Sequence, residues 1–108
     1  MSMIFEVLEY MEGGRSPFVN WFDDLDPVTA ARVDRYVRRM EAGNFGAAKP
    51  LRDGVFELRL DFGPGYRVYY GMDGRTLVIL LGGGDKRRQS ADIASALGRW
   101  KRYKKAKV

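Results

Sequence analysis

Residues 54–84 read GVFELRLDFGPGYRVYYGMDGRTLVILLGGG, and this stretch carries the strongest β signal in the chain. Phe56, Leu58, Leu60 and Phe62 alternate with Glu57, Arg59 and Asp61, the period-two pattern of a strand with one apolar and one charged face. Gly63-Pro64-Gly65 breaks that strand, and residues 66–70 (YRVYY) form the next. Asp73-Gly74 suits a two-residue hairpin turn, followed by residues 76–81 (TLVILL), apolar throughout, as in a strand covered on both faces. With Asp73 and Gly74 as the turn, Tyr70 faces Leu77, Val68 faces Ile79 and Tyr66 faces Leu81. These residues would share one face of the sheet, with Arg67, Tyr69, Val78 and Leu80 on the other, more open one. The three glycines at 82–84 end the strand and permit close approach. They do not make a phosphate loop, because the spacing G-x-x-x-x-G-K-[ST] is missing.

Working outward, residues 4–10 (IFEVLEY) read as a first strand and residues 11–15 as a turn. Ser16-Pro17 is a helix start, with Ser16 as cap and Pro17 in the first turn. Phe18, Trp21, Phe22 and Leu25 recur at helical spacing. Asp26-Pro27 starts a second helix, over 27–42, with Val33, Tyr36, Val37 and Met40 inward and Arg32, Arg35, Arg38 and Arg39 mostly outward. That arginine face reads most simply as solvated. Residues 44–54 read as a loop. Ser90 caps a last helix with Ile93, Leu97 and Trp100 inward, and residues 101–108 form a basic tail that frays into solvent. The expected fold is a single α+β domain over 1–108 in the order β-α-α-β-β-β-α. Its sheet is mainly antiparallel, with a helical hairpin packed on one face.

Composition narrows the chemistry. The 108 residues contain no cysteine and no histidine. Disulfides, thiolate nucleophiles, histidine bases and the commonest metal ligand are thereby excluded. The longest apolar run, 77–81, is too short to span a bilayer. The start of the chain carries Glu6 and Glu9 without a basic segment, unlike a secretion signal. A cytoplasmic location is expected.

The net charge of +5 is unevenly placed. Residues 1–85 hold 10 Lys and Arg against 13 Asp and Glu, while residues 86–108 hold 9 against Asp92 alone. Such a segment suits a polyanion, most often a nucleic acid, or serves as a solubilising helix. Arg59 near the end of its strand, Arg67 near the start of the next and Lys86 after the fourth gather at one end of a meander. They would form a basic hollow with Tyr69 nearby and Asp85, Arg87 and Arg88 at its rim. Guanidinium and ammonium groups suit a phosphodiester. The competing arrangement pairs Arg59 with Glu57 or Asp61, and Arg67 with a partner across the sheet.

The segments FVNWFDDL, GNFGAAKPL, GVFELRLDFGPGYRVYY and LLGGGDKRRQSADI resemble the HigB-like addiction module killer branch of the RelE/ParE toxin superfamily, across essentially the whole chain. The resemblance implies the toxin of a type II toxin–antitoxin module, co-produced with a small helix-turn-helix antitoxin. It further implies metal-independent cleavage of mRNA on the ribosome. Arg59, Arg67 and Lys86 match basic positions of the RelE-like nucleases, with Glu57 or Asp85 as candidate bases. Arg87, Arg88, Tyr69, Arg99, Lys101, Arg102, Lys104 and Lys105 are candidate RNA contacts. No metal, small-molecule cofactor or membrane is expected. Alternatives are a ParE-like inhibitor of DNA gyrase, or an inactive homologue that only binds its antitoxin. Two departures stand out: Glu57 replaces a lysine of the best-known member, and Asp92 and Ile93 lie where that member has a tyrosine.

Overall fold

The computed structural model describes residues 4–107. The elements are β1 (Glu6–Glu9), α1 (Pro17–Asp23), α2 (Pro27–Glu41), β2 (Ala47–Pro50), β3 (Val55–Arg59), β4 (Arg67–Asp73), β5 (Leu77–Gly84) and α3 (Gln89–Lys107), with a 3-10 turn (Lys86–Arg88) leading into α3. One five-stranded sheet runs in the order β1-β5-β4-β3-β2. All pairings are antiparallel except β1 with β5, and both helices carry the chain from β1 at one edge of the sheet to β2 at the other. The α+β architecture and its element order are as expected, with one strand more.

That strand is β2, in the segment expected to be a loop. It pairs with β3 at the sheet edge through Ala47 opposite Arg59 and Lys49 opposite Glu57. Ala-Ala-Lys-Pro lacks both alternation and β-branched residues, and proline is tolerated only on an edge.

Both helix starts form as the sequence dictates. The Ser16 hydroxyl accepts a 3.0 Å hydrogen bond from the Val19 amide, and prolines open both helices. Phe18, Val33 and Met40 then bury against Leu58, Leu60, Val68, Tyr70, Val78 and Leu80 on one face of the sheet, with Trp21, Phe22, Leu25, Tyr36 and Val37 packed around them.

The hairpin register differs from expectation. Asp73 pairs with Leu77, so the loop is Gly74-Arg75-Thr76, and Tyr70 meets Leu80 rather than Leu77. The offset is three residues, an odd number, which exchanges the faces of β5. Val78 and Leu80 therefore join the core under α1 and α2. Ile79 and Leu81 join Val55, Tyr69, Tyr10, Ala96 and Trp100 in a second core on the opposite face. That face is not open, because α3 covers it. A bulge between Tyr69 and Tyr70 re-sets the register, so Tyr69 pairs with Gly82 and Arg67 with Gly84.

The glycines continue the strand instead of ending it. A Cβ on Gly83 would lie 2.2 Å from the Trp21 ring, and one on Gly84 would lie 2.0 Å from the Asp92 carboxylate. The close approach read from the sequence is thus made by side chains from both faces. Nor do residues 101–107 fray: α3 runs to Lys107, Tyr103 packs beside Trp100, and the tail is tied down by ion pairs. Among the described residues, no helix is long and apolar enough to cross a membrane.

Candidate nucleic-acid interface

Arg59 and Arg67 stand directly opposite each other on β3 and β4 and so share a face of the sheet. Lys86 reaches the same place from the 3-10 turn, where its amide donates to the Pro64 carbonyl at 3.3 Å. The three cations line two contiguous hollows of about 400 and 540 Å³. Lys49 and Gln89 complete the smaller one, and residues 60–63 with Gly65 wall the larger. Across the smaller hollow, four cations face a single carboxylate, Glu57. Among the described residues, no three acidic side chains converge as a metal ion would require.

The cations are not equivalent. Arg67 is 4% exposed and bound: Nε donates to Glu57 Oε1 at 3.1 Å and Nη1 to the Gly65 carbonyl at 2.6 Å. Glu57, 3% exposed, accepts a further 3.1 Å bond on Oε2 from the Gln89 amide group at the start of α3. Glu57 is the diagonal neighbour of Arg67 across the β3–β4 pair, a reach that long side chains bridge. The cross-sheet pairing weighed for Arg67 is therefore present. Arg59 and Lys86 are exposed, and among the described residues neither forms an ion pair.

The other candidates divide by environment. The Asp85 side chain caps the 3-10 turn by accepting from the Arg87 amide, and pairs with the Arg87 guanidinium at 2.9 Å. That guanidinium holds the Asp85 carboxyl below the usual carboxylate range. Asp85 does not line either hollow. Tyr69 is 1% exposed beneath α3, and its hydroxyl has no hydrogen-bond partner. Burial, and next the Glu57 charge, push its ionisation far up. Asp92 packs on Gly84, and burial raises its carboxyl above the ordinary value.

Along α3, Arg99 donates to the Leu81 carbonyl at 3.0 Å, and Arg102 pairs with Glu12 at 2.7 Å. Lys104 stands 5.8 Å over the Trp100 ring. Arg88, Lys101 and Lys105 are exposed. Tyr69, Arg99 and Arg102 are thus committed to holding α3, and the free cations of that segment are the remainder.

Two hollow-lining residues escaped the sequence. Lys49 sits on β2, where the sequence predicts a loop, and Gln89 begins α3 one residue ahead of Ser90, the expected cap. A buried Glu57, in need of a second donor, is the only signal that could have pointed to Gln89.

Comparison with known proteins follows the same lines. The profile of the family described as phage derived protein Gp49-like (DUF891) matches residues 20–103. An uncharacterized protein of Haemophilus influenzae is 46% identical over 80 residues, covering 73% of this chain and 81% of its own length. Among solved structures, an arginine-to-alanine double mutant of the E. coli toxin RelE in its free state superimposes with a TM-score of 0.68 at 16% identity. The match covers 90% of this chain and 98% of that one. This protein is therefore a member of the phage-derived Gp49-like family, built on the fold seen in RelE.

Proposed function

We propose that the chain is the toxin of a type II toxin–antitoxin module, of the HigB-like branch, that cleaves mRNA on the ribosome without a metal. The observation carrying this reading is the hollow where Arg59, Arg67, Lys86 and Lys49 surround one carboxylate. The RelE-like fold and the Gp49-like family support it.

In cleavage by a neighbouring 2′-hydroxyl, negative charge accumulates on the oxygens of a five-coordinate phosphorus. Arg59 and Lys86, exposed and without an ion pair among the described residues, are free to meet that charge. A fixed donor aimed at it is worth roughly 3 kcal/mol. Arg67, with Nε and Nη1 committed, presents a preset guanidinium edge and needs no reorganisation. Glu57 orients Arg67; both its oxygens already accept hydrogen bonds. A small helix-turn-helix antitoxin, made alongside the toxin, restrains it by covering the positive field.

Purified protein added to a translation extract with a reporter mRNA tests the reading. Wild type is expected to cut the message only when ribosomes are present, and Arg59→Ala to slow cutting about 100- to 1000-fold with unchanged thermal stability. No cleavage by wild type, together with inhibition of DNA supercoiling by gyrase, would replace this reading with the inhibitor.

A further inference from the structure

The α2 helix carries four arginines, and its carboxylates neutralise only one. Arg38 pairs with Asp34 at 3.3 Å and with Glu41 at 3.7 Å. Arg32, Arg35 and Arg39 recur at i, i+3 and i+7, so they share a flank of the helix. All three are exposed, and among the described residues none forms an ion pair. Two are held on aromatic rings: the Arg32 guanidinium lies 3.9 Å from the centroid of Phe62, and that of Arg39 lies 4.9 Å from Tyr36. The two rings stack on each other, with centroids 6.1 Å apart. Phe62 is also a wall of the larger hollow, alongside Arg59 and Lys86. One surface with five exposed cations and the single hollow-lining carboxylate of Asp61 therefore runs from the larger hollow, over Phe62, and along about 10 Å of helix.

We infer that the Arg32, Arg35 and Arg39 flank of α2 binds the sugar–phosphate backbone of single-stranded RNA leading into the Arg59–Lys86 hollow. This rests on the RNA-directed reading above. Guanidinium groups resting on aromatic faces keep their in-plane N–H donors available to phosphate oxygens. They also lose less freedom on binding than unsupported side chains. Charge selects the occupant: the flank offers three cations that have no carboxylate partner among the described residues, which suits a polyanion.

The test measures binding of a fluorescein-labelled single-stranded RNA oligonucleotide by anisotropy across a salt series. Wild type is compared with R32Q/R35Q/R39Q, with R32K/R35K/R39K and with R59Q/K86Q. Each phosphate contact contributes about 0.7 to the slope of log affinity against log salt for a single strand. Loss of three contacts is therefore expected to flatten the slope by about 2 in the glutamine variant, while the lysine variant keeps it. Thermal melts of all variants accompany the titrations. A glutamine variant that is folded and keeps the wild-type slope, while R59Q/K86Q flattens it, overturns the inference and leaves the hollow reading standing. The inference also falls if the lysine variant loses the slope equally, since the flank would then act structurally. A wild type that binds no RNA and cuts none removes both readings together. If the glutamine variant keeps its RNA slope but no longer retains a co-produced acidic protein, the flank belongs to protein contact and the inference is wrong.

Discussion

At the residue scale, the Glu57–Arg67 pair is the feature with the greatest energetic consequence. Both side chains are almost fully buried, and removing one partner leaves an uncompensated charge in a poor dielectric. Glu57→Gln is expected to lower unfolding free energy by about 3–5 kcal/mol in urea titration. Replacing both residues by apolar ones, as in E57L/R67M, removes the desolvation cost as well. That double variant should recover to within about 1–2 kcal/mol of wild type and, on the proposed nuclease reading, still lack RNA cleavage. Equal destabilisation of the single and double variants would show that the pair is retained for stability instead. Gly83 offers a sharper steric test. Its missing Cβ is where the Trp21 ring lies, so Gly83→Ala should cost about 1–3 kcal/mol. Gly74→Ala, with open space around its missing Cβ, carries no such clash and costs only its backbone strain at a φ of +72°. A Gly83→Ala protein as stable as wild type would mean that Trp21 moves freely.

At the scale of elements, α3 is held at its far end by Asp73. The Tyr103 hydroxyl donates to Asp73 at 2.7 Å, and Lys107 makes an ion pair with the same carboxylate. Lys107 first, then Tyr103, holds the Asp73 carboxyl below its ordinary 3.8. A carboxyl depressed in the folded state stabilises above its unfolded value, and that contribution is lost as pH falls through the folded value. Hydrogen exchange in the last turns of α3, corrected for intrinsic rate, should therefore rise as pH drops below 3.8. In Asp73→Asn it should be fast already at neutral pH and insensitive to acid; a tail equally protected in both proteins would refute the anchor. The sequence predicts that the last turns of this helix, from residue 101 on, fray, because six cationic residues after residue 98 mask the i, i+3 spacing of Trp100 and Tyr103. Elsewhere the elements were legible where the pattern was strong: the inward stripes of α1 and α2, the alternation of β3, and the Ser16-Pro17 start. What escaped was β2, which has no alternation to see, and the register of β4 with β5. A hairpin register depends on loop length, and Asp73-Gly74 is compatible with both a two- and a three-residue loop. In the site, the meeting of Arg59, Arg67 and Lys86 was legible because sheet ends gather strand termini. The clamp on Arg67 was less so, since it depends on which face α3 buries.

At the scale of the whole molecule, one sheet separates two cores, and each contains one of the two tryptophans. Trp21 packs with the α1–α2 side, on Gly83, and Trp100 with the α3 side, against Gly71 and Gly54. The strands connect these halves residue by residue. On β4, Val68 and Tyr70 enter one core and Tyr69 the other; on β5, Val78 and Leu80 alternate with Ile79 and Leu81. Neither core can disperse without stripping one face from strands that the other still needs. Two cores that share one sheet in this way are expected to unfold in one cooperative step. Trp21→Phe and Trp100→Phe each leave one reporter. In each variant, fluorescence and far-ultraviolet circular dichroism should give the same urea midpoint and the same slope. If instead the Trp100 signal changes at lower urea than circular dichroism in Trp21→Phe, then α3 undocks while the sheet and the α1–α2 layer persist. Undocking of that kind would uncover Tyr69, Glu57 and Arg67 together, since Gln89 ties the start of α3 to Glu57. Coincident transitions exclude that partial opening as a populated state in urea. They also imply that access to the basic hollow depends on Arg59 and Lys86, which are already exposed, and not on release of the helix.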